Sequence, residues 1–189
     1  MGRKTYESIP ERLRPLGKRV SVVVSRDEGG EVADGVRREL SIRKEKVAAT
    51  AAAKQDAPGG AGCEPVTDAM VSSSLENALS DLDIGYGALG KLGNVFVIGG
   101  GEVYATALRA DSSTLGDRKV RVVMTNVRKN SGEGYECDTF FPVEDFSAEN
   151  GWRTASAEEV TEWVGENVPG EWIAEGEVSV QMVGYERGG

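Results

Sequence analysis

Val95-Phe96-Val97-Ile98-Gly99-Gly100-Gly101-Glu102-Val103-Tyr104 decides how this chain is read. Four consecutive apolar residues predict a strand buried on both faces, the mark of a parallel sheet. Three glycines then allow a sharp turn and close approach of backbone to a ligand. Helix formers resume from Glu102 to Ala110, so the order is strand, glycine turn, helix N-terminus. Free N–H groups at such a terminus bind anions and nucleotide phosphates. The run is not the G-x-G-x-x-G dinucleotide fingerprint, because Tyr104 stands where the third glycine belongs. A plain tight turn from strand to helix has the same signature, so other residues must decide.

Working outward, Thr5 to Ile9 predicts a short helix stopped before Pro10. Arg19 to Arg26 reads as a β-branched strand. Residues 27–70 are rich in glycine and alanine and read as a disordered or surface insertion, in which Val36 to Lys54 has the character of a basic helix. Serines 72–74 cap a helix whose apolar positions are Leu75, Ala78, Leu79 and Leu82. Strands are expected at Val120–Thr125, Trp152–Ala155 and Glu177–Tyr185, the last two antiparallel. The class is α/β: one domain over 1–189, its mixed sheet mostly parallel with an antiparallel C-terminal strand, flanked by helices.

With no histidine among 189 residues, His-based triads and His-ligated metal are excluded. Proton transfer must use carboxylate, Tyr, Lys, Cys or water. Cys63 and Cys137 form no metal or redox motif and read as free thiols. The net charge of −9 is uneven: residues 1–19 hold six basic residues against two acidic, and 133–189 hold two against fourteen. Such a chain is a poor partner for nucleic acid or an anionic membrane, and no signal peptide is visible. A basic patch on an acidic protein suits a small anionic ligand. Two further phosphate sites accompany the glycine turn: Gly2-Arg3-Lys4-Thr5 at a helix start, and Ser25-Arg26 at a strand end. Three such sites in one small α/β domain point to a phosphorylated dinucleotide.

Met1 to Pro10, Arg14-Pro15-Leu16, Lys18-Arg19, Val24-Ser25-Arg26, Val95 to Tyr104 and Asp138-Thr139-Phe140-Phe141-Pro142 together resemble dihydrofolate reductase, of fungal type. The resemblance covers roughly 1–26 and 71–189 and implies NADPH-dependent reduction of dihydrofolate to tetrahydrofolate in one-carbon metabolism, by a cytoplasmic monomer without metal. It implies that Arg3, Lys4 and Thr5 hold the cofactor pyrophosphate, and that Ser25 and Arg26 hold the 2′-phosphate. Gly99, Gly100, Gly101, Glu102, Val103 and Tyr104 would line the cofactor, with the Gly99–Gly100 bond cis. For the substrate it implies Ile9, Pro10 and Leu16 on the benzoyl group, Arg19 on the glutamate α-carboxylate, Ile98 and Tyr104 near the pteridine, and Thr125 at the 2-aminopterin end. Ser73 stands where some relatives have a basic residue beside adenine.

The family places about fifty residues before Gly-Arg-Lys-Thr, including a central strand, a closing loop and the acidic residue that binds the pterin. This sequence starts at that motif, so two open apolar sheet edges are expected and no catalytic acid is identifiable. Two other readings stay open: a non-catalytic NADPH-binding or regulatory homologue, and a fragment that does not fold.

Overall fold

The computed structural model describes residues 1–52 and 66–188, which divide into two compact units, Met1–Thr114 and Leu115–Gly189, where the sequence suggested one domain. Cys63 lies outside the described residues; Cys137 is exposed and free.

The first unit is built on two parallel strands, β1 (Val20–Val24) and β2 (Asp68–Ser72), paired in register from Val20↔Asp68 to Val24↔Ser72. The short helix α1 (Arg3–Ser8) buries Tyr6 beside Val23 and Val36. Full burial of an aliphatic side chain such as Val23 contributes about 1.5–3 kcal/mol. Helix α2 (Glu31–Ala52) occupies much of the segment read as a disordered or surface insertion, and β2 begins inside it. The basic helix read at Val36 to Lys54 falls, as far as it is described, within α2. The helix is held by tertiary contacts that composition does not reveal: Val36 is buried, and Glu39 accepts a 2.6 Å hydrogen bond from the Tyr6 hydroxyl. Glu39 also pairs with Arg14 at 3.4 Å. Burial and the adjacent Glu39 carboxylate both push the Tyr6 phenol well above its ordinary pKa.

Helix α3 (Leu75–Leu82) follows its sequence pattern closely. Ser74 accepts from the Asn77 N–H at its N-terminus, and Leu75, Ala78, Leu79 and Leu82 are all buried. A π-helical turn at Asp83–Gly87 leads to the stretch before α4 (Gly101–Arg109), which is followed by the single turn α5 (Ser112–Leu115).

The predicted strand at Val95–Ile98 is corrected. Among the described residues it makes no ladder, and Phe96 is 66% exposed. Apolar character calls for burial, but a strand exists only where a neighbour takes its backbone N–H and C=O groups. Val95–Ile98 and the β1 residues Val20, Val22 and Val24 instead line one cavity of about 530 Å³.

The second unit is antiparallel. β3 (Arg121–Lys129) and β6 (Val178–Arg187) pair from Arg121↔Glu186 to Lys129↔Val178. β4 (Trp152–Thr154) and the short β5 (Ile173–Glu175) also pair with β6, leaving β3 at the edge of the sheet. Helix α6 (Ala157–Val164) opens on a capping box, with Ser156 and Glu159 bonding each other's backbone N–H. Its Val160 is 1% exposed and packs over Gly184 so closely that a Cβ there would meet Val160 Cγ2. Phe146 stacks on Tyr185 with centroids 4.3 Å apart and meets Trp152 edge-on at 5.1 Å. The α/β class stands, with parallel pairing in one unit and antiparallel in the other.

Candidate functional site

Three of the sequence motifs meet at Gly2. Its N–H donates to the Gly99 carbonyl at 2.8 Å, and it forms a parallel bridge with Val24 at the end of β1. The Val24 N–H in turn donates to the Met1 carbonyl at 2.7 Å. The start of α1, the end of β1 and the glycine turn before α4 therefore share one corner of the first unit. There is little room in it: a Cβ on Gly2 would stand 3.3 Å from Val103 Cγ2, and one on Gly100 would stand 3.4 Å from Thr5 Oγ1.

The Gly99–Gly100 peptide is cis, as the resemblance implied, and Gly99 has φ +98°, a conformation that favours glycine. Tyr104 packs against it, with Cε2 3.4 Å from where a Gly99 Cβ would be. Gly100 and Gly101 begin α4, whose first N–H groups have no partner within the helix. Arg3, Lys4 and Arg26 are exposed at this corner, while Thr5 and Ser25 are half-buried. The Ser25 backbone N–H donates to the Ser72 carbonyl at 3.0 Å, tying it to β2. The Ser25 hydroxyl accepts the Asp27 N–H at 3.3 Å, which leaves its proton for an acceptor. Glu102 is exposed in the first turn of α4 and brings its backbone N–H rather than its carboxylate to an anion.

Of the residues implied for the substrate, Leu16, Arg19 and Ile98 line the same cavity. Its walls are mainly aliphatic, from β1 and α3, with Lys18, Arg19 and Lys91 as cations. Ile9 and Pro10 lie at the end of α1 and do not line it, and Thr125 is exposed on β3 in the other unit. The described structure therefore joins the residues that the resemblance implies for the cofactor and part of those it implies for the substrate.

Sequence reasoning missed Tyr86, which lines the cavity and donates to Asp68 Oδ2 at 2.7 Å. Its phenol is pushed up to about 12 by burial and by that carboxylate. Burial works against the charge on Asp68, yet the bonds from Tyr86, the Ala69 N–H and Lys44 overcome it and hold its pKa below the usual range. Nothing around Tyr86 in sequence marked it, since its partner arrives from β2. No carboxylate lines the cavity among the described residues, no group of them could hold a metal, and no described helix is long and apolar enough to cross a membrane.

Known proteins similar to this chain are dihydrofolate reductases. A family model described as dihydrofolate reductase matches residues 1–63. The chain is 28% identical over 173 residues to a dihydrofolate reductase of Pneumocystis carinii, covering 89% of this chain and 63% of that protein. It is 29% identical over 142 residues to one of Aedes albopictus, covering 75% and 53%. A dihydrofolate reductase of Candida albicans is 27% identical over 189 residues, covering 99% of this chain and 72% of the relative. The chain thus spans less than two thirds of the first two relatives. In fold it is similar to a solved dihydrofolate reductase of Schistosoma mansoni, with TM-score 0.56 and 23% identity over 99% of this chain and 72% of that one. Over most of its length in sequence, and in fold, this chain is similar to dihydrofolate reductases.

Proposed function

We propose that this chain binds NADPH and dihydrofolate and serves the NADPH-dependent reduction of 7,8-dihydrofolate to 5,6,7,8-tetrahydrofolate. The observation that carries this reading is the junction at Gly2, where three motifs suited to phosphate share one corner. NADPH supplies a hydride, passed from nicotinamide C4 to pterin C6. The chain's residues bind and orient. Arg3, Lys4 and Thr5 take the pyrophosphate, Ser25 and Arg26 the 2′-phosphate, and the Gly99–Tyr104 turn the remaining cofactor surface. Leu16, Ile98 and Arg19 offer the substrate an apolar wall with a guanidinium at its edge. Dihydrofolate fits that pairing, with its flat rings against the wall and its glutamate carboxylate on arginine. In this reading the chain works as a monomer in cytoplasmic one-carbon metabolism.

One observation favours a second reading. Among the described residues no carboxylate lines the cavity, and the Tyr86 phenol stays protonated to about 12, so in this reading protonation at pterin N5 falls to water. A homologue that binds NADPH without turnover has this character. Titration of the folded chain with NADPH and with dihydrofolate, followed by NADPH oxidation at 340 nm, separates the two. Binding with turnover supports the reductase. NADPH binding without turnover supports the second reading. A folded chain that binds neither ligand overturns both.

A further inference from the structure

Tyr86, in the π-helical turn after α3, lines the cavity and bonds to two segments that meet there. Its backbone carbonyl accepts the Lys91 N–H at 2.9 Å, where the lining stretch that ends at Ile98 begins. Its phenol donates to Asp68 Oδ2 at 2.7 Å, at the first residue of β2. The β1–β2 ladder starts at Asp68, whose N–H donates to the Arg19 carbonyl at 3.2 Å. The end of a ladder opens more readily than its middle, so the main chain at Arg19 is as steady as Asp68 is.

The Asp68 carboxylate takes three donors: the Tyr86 hydroxyl, the Ala69 N–H at 3.0 Å and Lys44 Nζ at 3.4 Å. Ala69 is its own chain neighbour, and Lys44 is an exposed lysine whose ion pair is worth little. Tyr86 is the donor that ties Asp68 to a distant part of the unit, and both partners are half-buried. The Arg19 side chain is fixed separately. Its Nε donates to the Gly17 carbonyl at 3.2 Å, and Arg43 of α2 backs that glycine, with Nη2 2.7 Å from where a Gly17 Cβ would stand. Arg19 is thus held by its backbone from β2 and by its side chain from its own turn.

Resting on the folate reading above, we propose that Tyr86 is a positioning residue, which through Asp68 holds Arg19 where its terminal nitrogens grip the α-carboxylate of dihydrofolate. A two-point grip depends on aim, because both N–H···O bonds must form together. A displaced guanidinium keeps its charge and loses the second bond. A ring that only fills the cavity matters equally to every ligand there. A hydroxyl that aims Arg19 matters to a ligand that Arg19 grips.

The test is equilibrium titration of the full chain with folate, with folate α-amide, in which the gripped carboxylate is neutral, and with NADPH. Tyr86→Phe keeps the ring and removes the hydroxyl. It weakens folate about threefold to tenfold, the worth of one hydrogen bond, and leaves the α-amide and NADPH nearly unchanged. In an Arg19→Lys background the same change costs folate nothing further, since the fork it aims is gone. Asp68→Ala reproduces the selective loss and decides the matter if Tyr86→Phe does not fold, whereas Asp68→Asn, which keeps an acceptor for the phenol, retains most of the affinity. Equal losses for folate and its α-amide, or losses from Tyr86→Phe and Arg19→Lys that simply add, overturn the proposal alone. A folded wild type that binds no folate overturns the folate reading, a distinct result.

Discussion

The backbone N–H of Gly2 donates to the carbonyl of Gly99 at 2.8 Å. This single bond fastens the first turn of α1 to the turn before α4, and the bridge from Gly2 to Val24 adds the end of β1. Gly2 suits the position because the space beside its Cα is filled by Val103 Cγ2 and the Gly100 nitrogen, 3.3 and 3.7 Å from where a Cβ would go. The arrangement gathers backbone donors and three exposed cations, Arg3, Lys4 and Arg26, at one corner, which is what a dinucleotide diphosphate with an added phosphate demands.

On the proposed reading, Arg26 selects the cofactor. It is exposed at the end of β1, beside a serine tied to β2. A charge-assisted contact to phosphate contributes roughly 1.5–3 kcal/mol. Arg26→Ala weakens NADPH binding by about tenfold to a hundredfold and leaves NADH nearly unchanged. Fluorescence titration of both cofactors checks this; an equal loss for each makes Arg26 a structural residue.

Local signals in the sequence were sound where the cause of structure is local. Ser74 and the leucine spacing of α3 are read directly, and so are the three motifs at Gly2. The Ser156–Glu159 capping box was equally available as Ser-Ala-Glu-Glu, but it sits in an acidic region that reads as plain solvated surface. Elsewhere the cause is tertiary. Hydrophobicity at Val95–Ile98 says nothing about which backbone lies beside it. The charge-rich α2 depends on Tyr6 and Arg14 for its seat, and Arg43 meets Gly17 only once that seat exists.

Gly184 on β6 tests the packing of the second unit. A Cβ there meets Val160 Cγ2 and stands 3.0 Å from Trp163 Cζ3, both on α6. Overpacking of this kind costs about 1–3 kcal/mol. Gly184→Ala lowers the urea midpoint accordingly, and Val160→Ala in the same chain recovers part of the loss because it removes the obstructing methyl. If the double variant loses the sum of both single changes, the clash is not the cause.

Alkaline pH reports on Tyr86. An unperturbed tyrosine ionises near 10, whereas burial and the Asp68 carboxylate raise this one to about 12. The folded state favours the neutral phenol, so its contribution is complete below 10 and is lost as pH rises through about 12. In a spectrophotometric titration of tyrosinate, Tyr86→Phe removes a late-ionising component. It also reduces the steepness with which stability falls above pH 10. A late component of unchanged amplitude in Tyr86→Phe sinks this assignment.

Arg19 separates a folate site from a general nucleotide site. It immediately precedes β1, its Nε is anchored on the Gly17 carbonyl at 3.2 Å, and it lines the cavity together with Leu16 and Ile98. Anchoring one nitrogen leaves the two terminal nitrogens to grip a carboxylate in two parallel hydrogen bonds, a geometry that an ammonium cannot reproduce. Arg19→Lys keeps the charge and removes the fork. The affinity for folate falls by about tenfold or more. A pteridine without the glutamate tail loses little, because its contacts are to the apolar wall, and NADPH binding at the Gly2 corner is unchanged. Calorimetric titration of the three ligands reads the pattern. Equal losses for tailed and tailless ligands identify Arg19 as a support of the Gly17 turn, and no folate carboxylate is then held there.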